Sequence, residues 1–230
     1  MRHFFGSTLA VAALLLPLAA QGQDASRAVA GGGITVQGWQ GKVDPREAQS
    51  GMTVNNAKFA PEGQGMHAVT GPSITYWNPA NRATGDYTVK ATFKEPKFQS
   101  LNDHPHPYGI VIGGNDMGTD NQSFLYCAAY GNGMFIVRGF GPAAFQMNGR
   151  RGEANPAVKK VEVGQEVTQE IAVSVKGDKV ECAINGTVVG SYPKADVVAA
   201  GKLKSTDGVY GLRFGHNTEA IVTGLTITKP

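Results

Sequence analysis

The sequence predicts an all-β fold, a two-sheet antiparallel β-sandwich of the jelly-roll kind, and three observations carry that prediction. Apolar residues alternate with polar ones at a period of two over most of the chain, which marks strands with one buried and one wet face. Turn sequences such as Gly177-Asp178 and Asn185-Gly186 punctuate these runs in a chain that holds 31 glycines. No helical pattern is long enough to carry a crossover between parallel strands, so the ladders must close antiparallel and pack face to face.

From the amino end, residues 1–22 have the layout of a secretory signal peptide: Arg2, then the apolar stretch Leu9 to Leu16, then small residues. Ala20-Gln21-Gly22 suits a cut after Gly22 and Leu18-Ala19-Ala20 a cut after Ala20, so the mature chain is expected to begin near Gln21 or Gln23, secreted or periplasmic. The apolar stretch falls short of the roughly 20 residues that span a bilayer. The remainder, 23–230, has the length of one domain with a sizeable core.

The elements then follow in order. ITVQGW (34–39) reads as a strand, PREAQS (45–50) as a helical turn and ITYW (74–77) as a strand. In DYTVKATFK, Tyr87, Val89, Ala91 and Phe93 share one face and Thr88, Lys90, Thr92 and Lys94 the other, so the first set belongs to the core. YGIVIGG (108–114) is a buried run, and QSFLYCAAY (122–130) with GMFIVRGF (133–140) forms a hairpin about Gly131-Asn132-Gly133. Residues 141–168, with Pro142, Pro156 and Arg150-Arg151, read as a long surface loop. QEIAVSVK, KVECAIN and TVVGSY make a three-stranded meander over 169–192, and KADVVAAGKL (194–203) offers a helical turn. GVYGLRFG (208–215) and EAIVTGLTIT (219–228) complete about eleven strands.

Charge directs the chain to no polyanion: without Arg2, 20 of its 21 basic residues face 18 acidic ones, interspersed rather than in blocks. Neither nucleic acid nor a membrane surface is indicated as a partner. Cys127 and Cys182 are the two cysteines; an oxidising compartment permits them to pair, and two buried thiols are the rival state.

Gly38-Trp39, TGPSITYWNP, DYTVKATF, YGIVIGG, SFLYCAAYGNGMFIVRGF, the EIAVSVKGDKVECAINGTVV meander and the final DGVYGLRFGHNTEAIVTGLTI, taken together, resemble the concanavalin A-like lectin/glucanase superfamily. The likeness is to its laminin-G-like and 3-keto-disaccharide-hydrolase-like domains of exported bacterial proteins, and it covers nearly all of the mature chain. It implies a sandwich with a concave sheet that often holds sugar, and sometimes a calcium ion near the rim.

Retaining glucanases of that superfamily carry Glu-x-Asp-x-Glu on one strand, because the two carboxylates must share a face at about 5 Å. This chain lacks the motif, and Glu162, Glu166 and Glu170, four apart in a polar setting, read as a solvated edge. In DHPHPY, His104 and His106 stand two apart, a spacing that chelates zinc or copper from a regular strand. Pro105 and Pro107 turn the two rings apart, so a metal would need a third ligand from His67, His216 or Asp103, and a proline-stiffened strand entry is the simpler reading. Asn115, Asp116 and Asp120, with Asn121, present hard oxygen atoms of the kind calcium prefers, in a loop where Asp and Asn also serve ordinary turns.

Sugar binding needs aromatic faces and fixed polar groups. Tyr76, Tyr130 and Phe140 lie on or beside strands, and the set singled out for a ligand is Trp77, His104, His106, Tyr108, Arg138 and His216. Trp77 is either the exposed member of its strand, because WNP begins a turn, or a ring packed under that turn, and the glycines of YGIVIGG and GVYGLRFG either floor the concave face or relieve packing between curved sheets. The expected role is an exported, noncatalytic protein that binds carbohydrate or glycoconjugate, with no cofactor beyond a candidate calcium. A glycoside-acting hydrolase of the keto-sugar type and a structural or protein-interaction domain of the envelope are the alternatives.

Overall fold

Alternation at a period of two becomes two curled sheets laid face to face. The structure, a computed structural model, describes residue 1, residues 26–101 and residues 104–230. The remainder of the predicted leader lies outside the described residues, as does Asp103.

The chain begins with β1 (Gly33–Ile34), β2 (Gln40–Val43), a one-turn helix α1 (Pro45–Gln49), β3 (Ala57–Glu62), β4 (Gly65–Thr70) and β5 (Ile74–Ala83). It continues through β6 (Tyr87–Glu95), the short pair β7 (Ser100–Leu101) and β8 (His104–Pro105), β9 (Tyr108–Asn115), β10 (Ser123–Ala129) and β11 (Met134–Phe140). Two short edge strands follow, β12 (Ala144–Gln146) and β13 (Glu153–Ala154), then β14 (Val167–Lys176), β15 (Lys179–Ile184), β16 (Thr187–Pro193), a helical turn α2 (Lys194–Val197), β17 (Gly208–Phe214) and β18 (Glu219–Thr228).

The first sheet runs β1-β3-β4-β18-β6-β14-β15-β16, and the second β12-β11-β10-β9-β17-β5-β2 with β13 also on β11. Neighbours are antiparallel except β1, which lies parallel to β3. The meander and the hairpin stand where the turn residues put them: β14, β15 and β16 pair in succession, and β10 pairs β11. Asn185 and Gly186 both take positive φ, as that turn requires.

Between the sheets lies an aromatic and aliphatic core. Tyr87, Val89, Ala91 and Phe93 of β6 are all buried, and Phe93 stacks on Tyr108 at 5.5 Å and meets Phe214 edge-on at 6.4 Å. The opposite face of β6 pairs Lys90 with Glu170 and Lys94 with Glu166 at the surface, which places the two β14-side glutamates of the sequence trio in solvated ion pairs. Cys127 on β10 and Cys182 on β15 pair as a disulfide with 5.9 Å between Cα atoms, stitching one sheet to the other.

Three expectations need correction. Val36 to Trp39 form a turn, Trp39 N donating to Val36 O with Gly38 at positive φ, so of ITVQGW only Ile34 lies in a strand, β1. Residues 57–70, assigned no element above, form the hairpin β3-β4 about Gly63-Gln64. Residues 141–168 are more than surface loop: besides β12 and β13, the loop buries Val158, and Phe145 lies where a Cβ on Gly139 would come within 2.3 Å of its ring.

Candidate functional site

The pairing registers fix which side chains leave the core. On the outer face of the second sheet a row crosses seven strands: Gln146, Arg138, Tyr126, Val111, Gly211, Trp77 and Gln40, from β12 to β2. Beside it run Ile136, Ala128, Gly109, Arg213, Thr75 and Lys42, and on its other side Phe124 pairs Phe140.

An outward face without a third layer over it is ordinarily wet. Here Val111, Phe124, Tyr126, Ala128, Tyr130 and Ile136 are all less than a tenth exposed and form a second apolar cluster, edged by half-buried Met117, Met134 and Phe140. The face is therefore read as a recess in which these side chains are sunk, with Arg138, Phe140 and Gln146 half-buried at its accessible end.

Arg213 is the charge at its centre. Its Nη1 and Nη2 donate to the two carboxylate oxygens of Asp44 at 2.5 Å each, and Nη1 also reaches Thr75 Oγ1 at 3.2 Å. The guanidinium carbon stands 5.4 Å from the Tyr126 ring centre and 5.5 Å from that of Phe140, within cation–π range. Burial opposes the charge, but Asp44, by its charge and its hydrogen bonds, more than offsets it and holds Arg213 firmly protonated. Glu47 of α1 accepts from Ser73 N at 2.7 Å; burial raises its carboxyl, the Ser73 bond lowers it and the Asp44 charge raises it further. Burial also raises the phenols of Tyr126 and Tyr130.

Arg138, one strand in from the edge, is half-buried, and its Nε is shut off from solvent. Among the described residues its side chain makes no hydrogen bond and no ion pair. Its neighbour Gln146 donates to Gly149 O at 3.0 Å.

At the other end of the row is a cleft of about 330 Å³ lined by Gln40, Trp77, Arg82, Asn115, Asp116 and Met117 among others. Trp77 is its floor and not a lip: the residue is 3% exposed, and a Cβ on Gly118 would stand 3.4 Å from its Cζ2, so the ring lies under the 115–122 loop.

The sequence-derived candidates thus separate. Arg138 and Trp77 lie in one row of the outer face, though Trp77 is covered. Tyr108 is a core residue, fully buried on the inner side of β9 and stacked on Phe93, because alternation from Ile110 and Ile112 turns it inward. His106 and His216 do come together: they stand two residues beyond the register pair Tyr108 and Phe214, their ring centres 4.5 Å apart and nearly perpendicular, and both are buried rather than displayed on a rim. Of His104 only the backbone is described, paired with Leu101. His67 is remote, on β4 between Glu62 at 2.8 Å and Glu219 at 3.1 Å. Asn115, Asp116 and Asp120 do not converge: Asn115 donates to Gly113 O and Asp207 O, Asp116 pairs with Lys204, and Asp120 with Lys42. No cluster of three His, Cys, Asp or Glu side chains with metal-ligand geometry occurs among the described residues.

The glycines on this face have a structural cause. A Cβ on Gly109 would fall 1.9 Å from Cys127 O, and one on Gly211 2.2 Å from Tyr76 O. The surface that approaches them is the backbone of the neighbouring strand.

Sequence reasoning passed over Arg213, Asp44 and Tyr126. A signal existed for Arg213, a charge set between core-facing Leu212 and Phe214.

This architecture is the concanavalin A-like, jelly-roll fold of lectins and glucanases. No family model matches the chain, and no curated protein matches it in sequence. Solved structures do. The CBM66 carbohydrate-binding module from Bacillus subtilis superposes with a TM-score of 0.56 at 10% identity, over 84% of this chain and 96% of that one. A protein of unknown function with a galectin-like fold from Bacillus subtilis gives 0.55 at 12% identity over 82% and 88%. The endo-β-1,3-glucanase from Pyrococcus furiosus gives 0.50 at 15% identity over 84% and 88%. At such identities the likeness is one of fold.

Proposed function

We propose that the protein binds carbohydrate on the recessed outer face of its second sheet. The observation that carries this is the juxtaposition of half-buried Phe140, Arg138 and Gln146 on one face, an accessible apolar ring beside polar donors, which is what a sugar's apolar face and hydroxyls require. A carbohydrate-binding module among the structural neighbours is consistent with this reading.

Binding without cleavage is favoured by the state of the carboxylates. Asp44 gives both its oxygens to Arg213, and Glu47 holds Ser73 N, so neither carboxylate of this corner is placed as an independent acid and nucleophile. Export is part of the proposal, supported by the charged, apolar and small-residue order of the amino terminus and by the Cys127–Cys182 pair, which an oxidising compartment maintains.

The test is a glycan array with the wild-type protein, followed by titration of its best ligand against Phe140→Ala. Binding that weakens about tenfold in this variant, with little change in melting temperature, supports the reading. Absence of any glycan ligand, or a ligand indifferent to Phe140, overturns it.

A further inference from the structure

We propose that the glycan received on this face is acidic, and that Arg138 is the residue that meets its carboxylate. This rests on the carbohydrate-binding reading and adds the charge class to it.

Arg138 lies within the row, with Tyr126 on one side and Gln146 on the other, and among the described residues it has neither acceptor nor counter-ion. A donor removed from water without an acceptor is unfavourable, and a planar guanidinium fork matches a planar carboxylate with two parallel hydrogen bonds. A carboxylated sugar ring set against half-buried Phe140 brings that partner; a neutral sugar brings no compensating charge.

The protein's own carboxylates do not supply it. Asp44 is engaged by Arg213. The turn that follows Arg138's pairing partner β12 carries charge of the same sign: Arg150 and Arg151, in residues 147–152, are exposed and make no ion pair among the described residues. Glu153, which follows that turn, accepts from Gly149 N at 2.8 Å. The other rim differs, since Lys42 and Lys204 are paired with Asp120 and Asp116. Three guanidinium groups, Arg138, Arg150 and Arg151, thus stand in this stretch of chain against the single carboxylate of Glu153, so positive charge is in excess here.

The experiment is titration of the full-length mature protein with oligogalacturonate, with the same oligomers after carboxyl reduction, and with dextran sulfate, using wild type, Arg138→Gln, Arg138→Lys, Phe140→Ala and the Arg150→Gln/Arg151→Gln double variant. Thermal melts confirm that each variant is folded. The expected result is that carboxyl reduction and Arg138→Gln each weaken binding at least tenfold and are not additive, that Arg138→Lys recovers part of the loss, and that dextran sulfate binds more weakly. If reduced and unreduced oligomers, or the neutral glycans of the array, bind equally, with Arg138→Gln silent and Phe140→Ala weakened, the sugar face stands and the acidic ligand is overturned. If oligogalacturonate and dextran sulfate bind alike and only the double variant loses them, a nonspecific basic rim replaces Arg138. If wild type binds no glycan of any kind, the carbohydrate reading fails and this inference fails with it.

Discussion

Arg213 on β17 and Asp44 at the start of α1 are locked fork to fork, two nitrogens on two oxygens at 2.5 Å, beneath the outer face of the second sheet. The pair ties the centre of the recess to its edge, because Asp44 follows the edge strand β2. Removing one member strands the other: Asp44→Ala leaves a guanidinium of 6% side-chain exposure without its counter-ion. Such losses cost about 3–5 kcal/mol, whereas Arg213→Met strands Asp44, whose side chain is 20% exposed and can be reached by water, and so costs less. Urea unfolding should therefore rank Asp44→Ala well below Arg213→Met in stability. The reverse order would show that the cation, and not the pair, organises the recess.

Glu95, at the end of β6, is 3% exposed in the structure. Burial pushes its carboxyl up to about 8; a hydrogen bond from the Gln99 backbone opposes this and the charge of Glu219 adds to it. The folded protein then holds a proton that the unfolded chain releases near the ordinary value of 4.5. Stability attached to this group is complete below that value and is lost as pH rises through about 8, a change on the order of a few kcal/mol. Glu95→Gln should flatten the decline of stability between roughly pH 5 and 8, measured by denaturant titration across that window. An unchanged slope would assign the decline to other groups.

The disulfide closes a 55-residue separation and joins the two sheets. Loop-closure entropy alone gives it about 4 kcal/mol. The Cys127→Ala/Cys182→Ala double variant should lose about 2–4 kcal/mol while folding to the same circular dichroism spectrum. Two thiols that react in denatured, unreduced wild type would refute the pairing.

Legibility followed the range of the interactions. DYTVKATF announced its facing because alternation is local, and the 169–192 meander because Asn185-Gly186 and Gly177-Asp178 specify their own turns. The β3-β4 hairpin was silent since Pro61, Gly63 and Gly65 interrupt its alternation and Phe59 is the one large core residue it holds. The recess was half legible. Arg138 was among the ligand candidates, but the partner of Arg213 lies 169 residues away and depends on β2 reaching β5. Tyr108 misled because its strand is inner-facing at alternate positions, a parity that depends on the register with β17.

Trp77 is the sharpest test of that boundary between sequence and structure. As a sugar platform, its truncation would weaken binding and leave the fold intact. At 3% exposure, with the 115–122 loop over its ring, it is instead the support on which Gly118 and the cleft beside Asn115 rest. Trp77→Ala should then cost about 3–5 kcal/mol. For a domain of this size that lowers the melting temperature by roughly 10 °C. Trp77→Phe, which keeps an apolar ring under the loop, should recover more than half of the loss. Differential scanning calorimetry of the two variants decides the matter. If Trp77→Ala melts like wild type yet loses glycan affinity, the loop must open in solution, and the ring belongs to the ligand rather than to the floor.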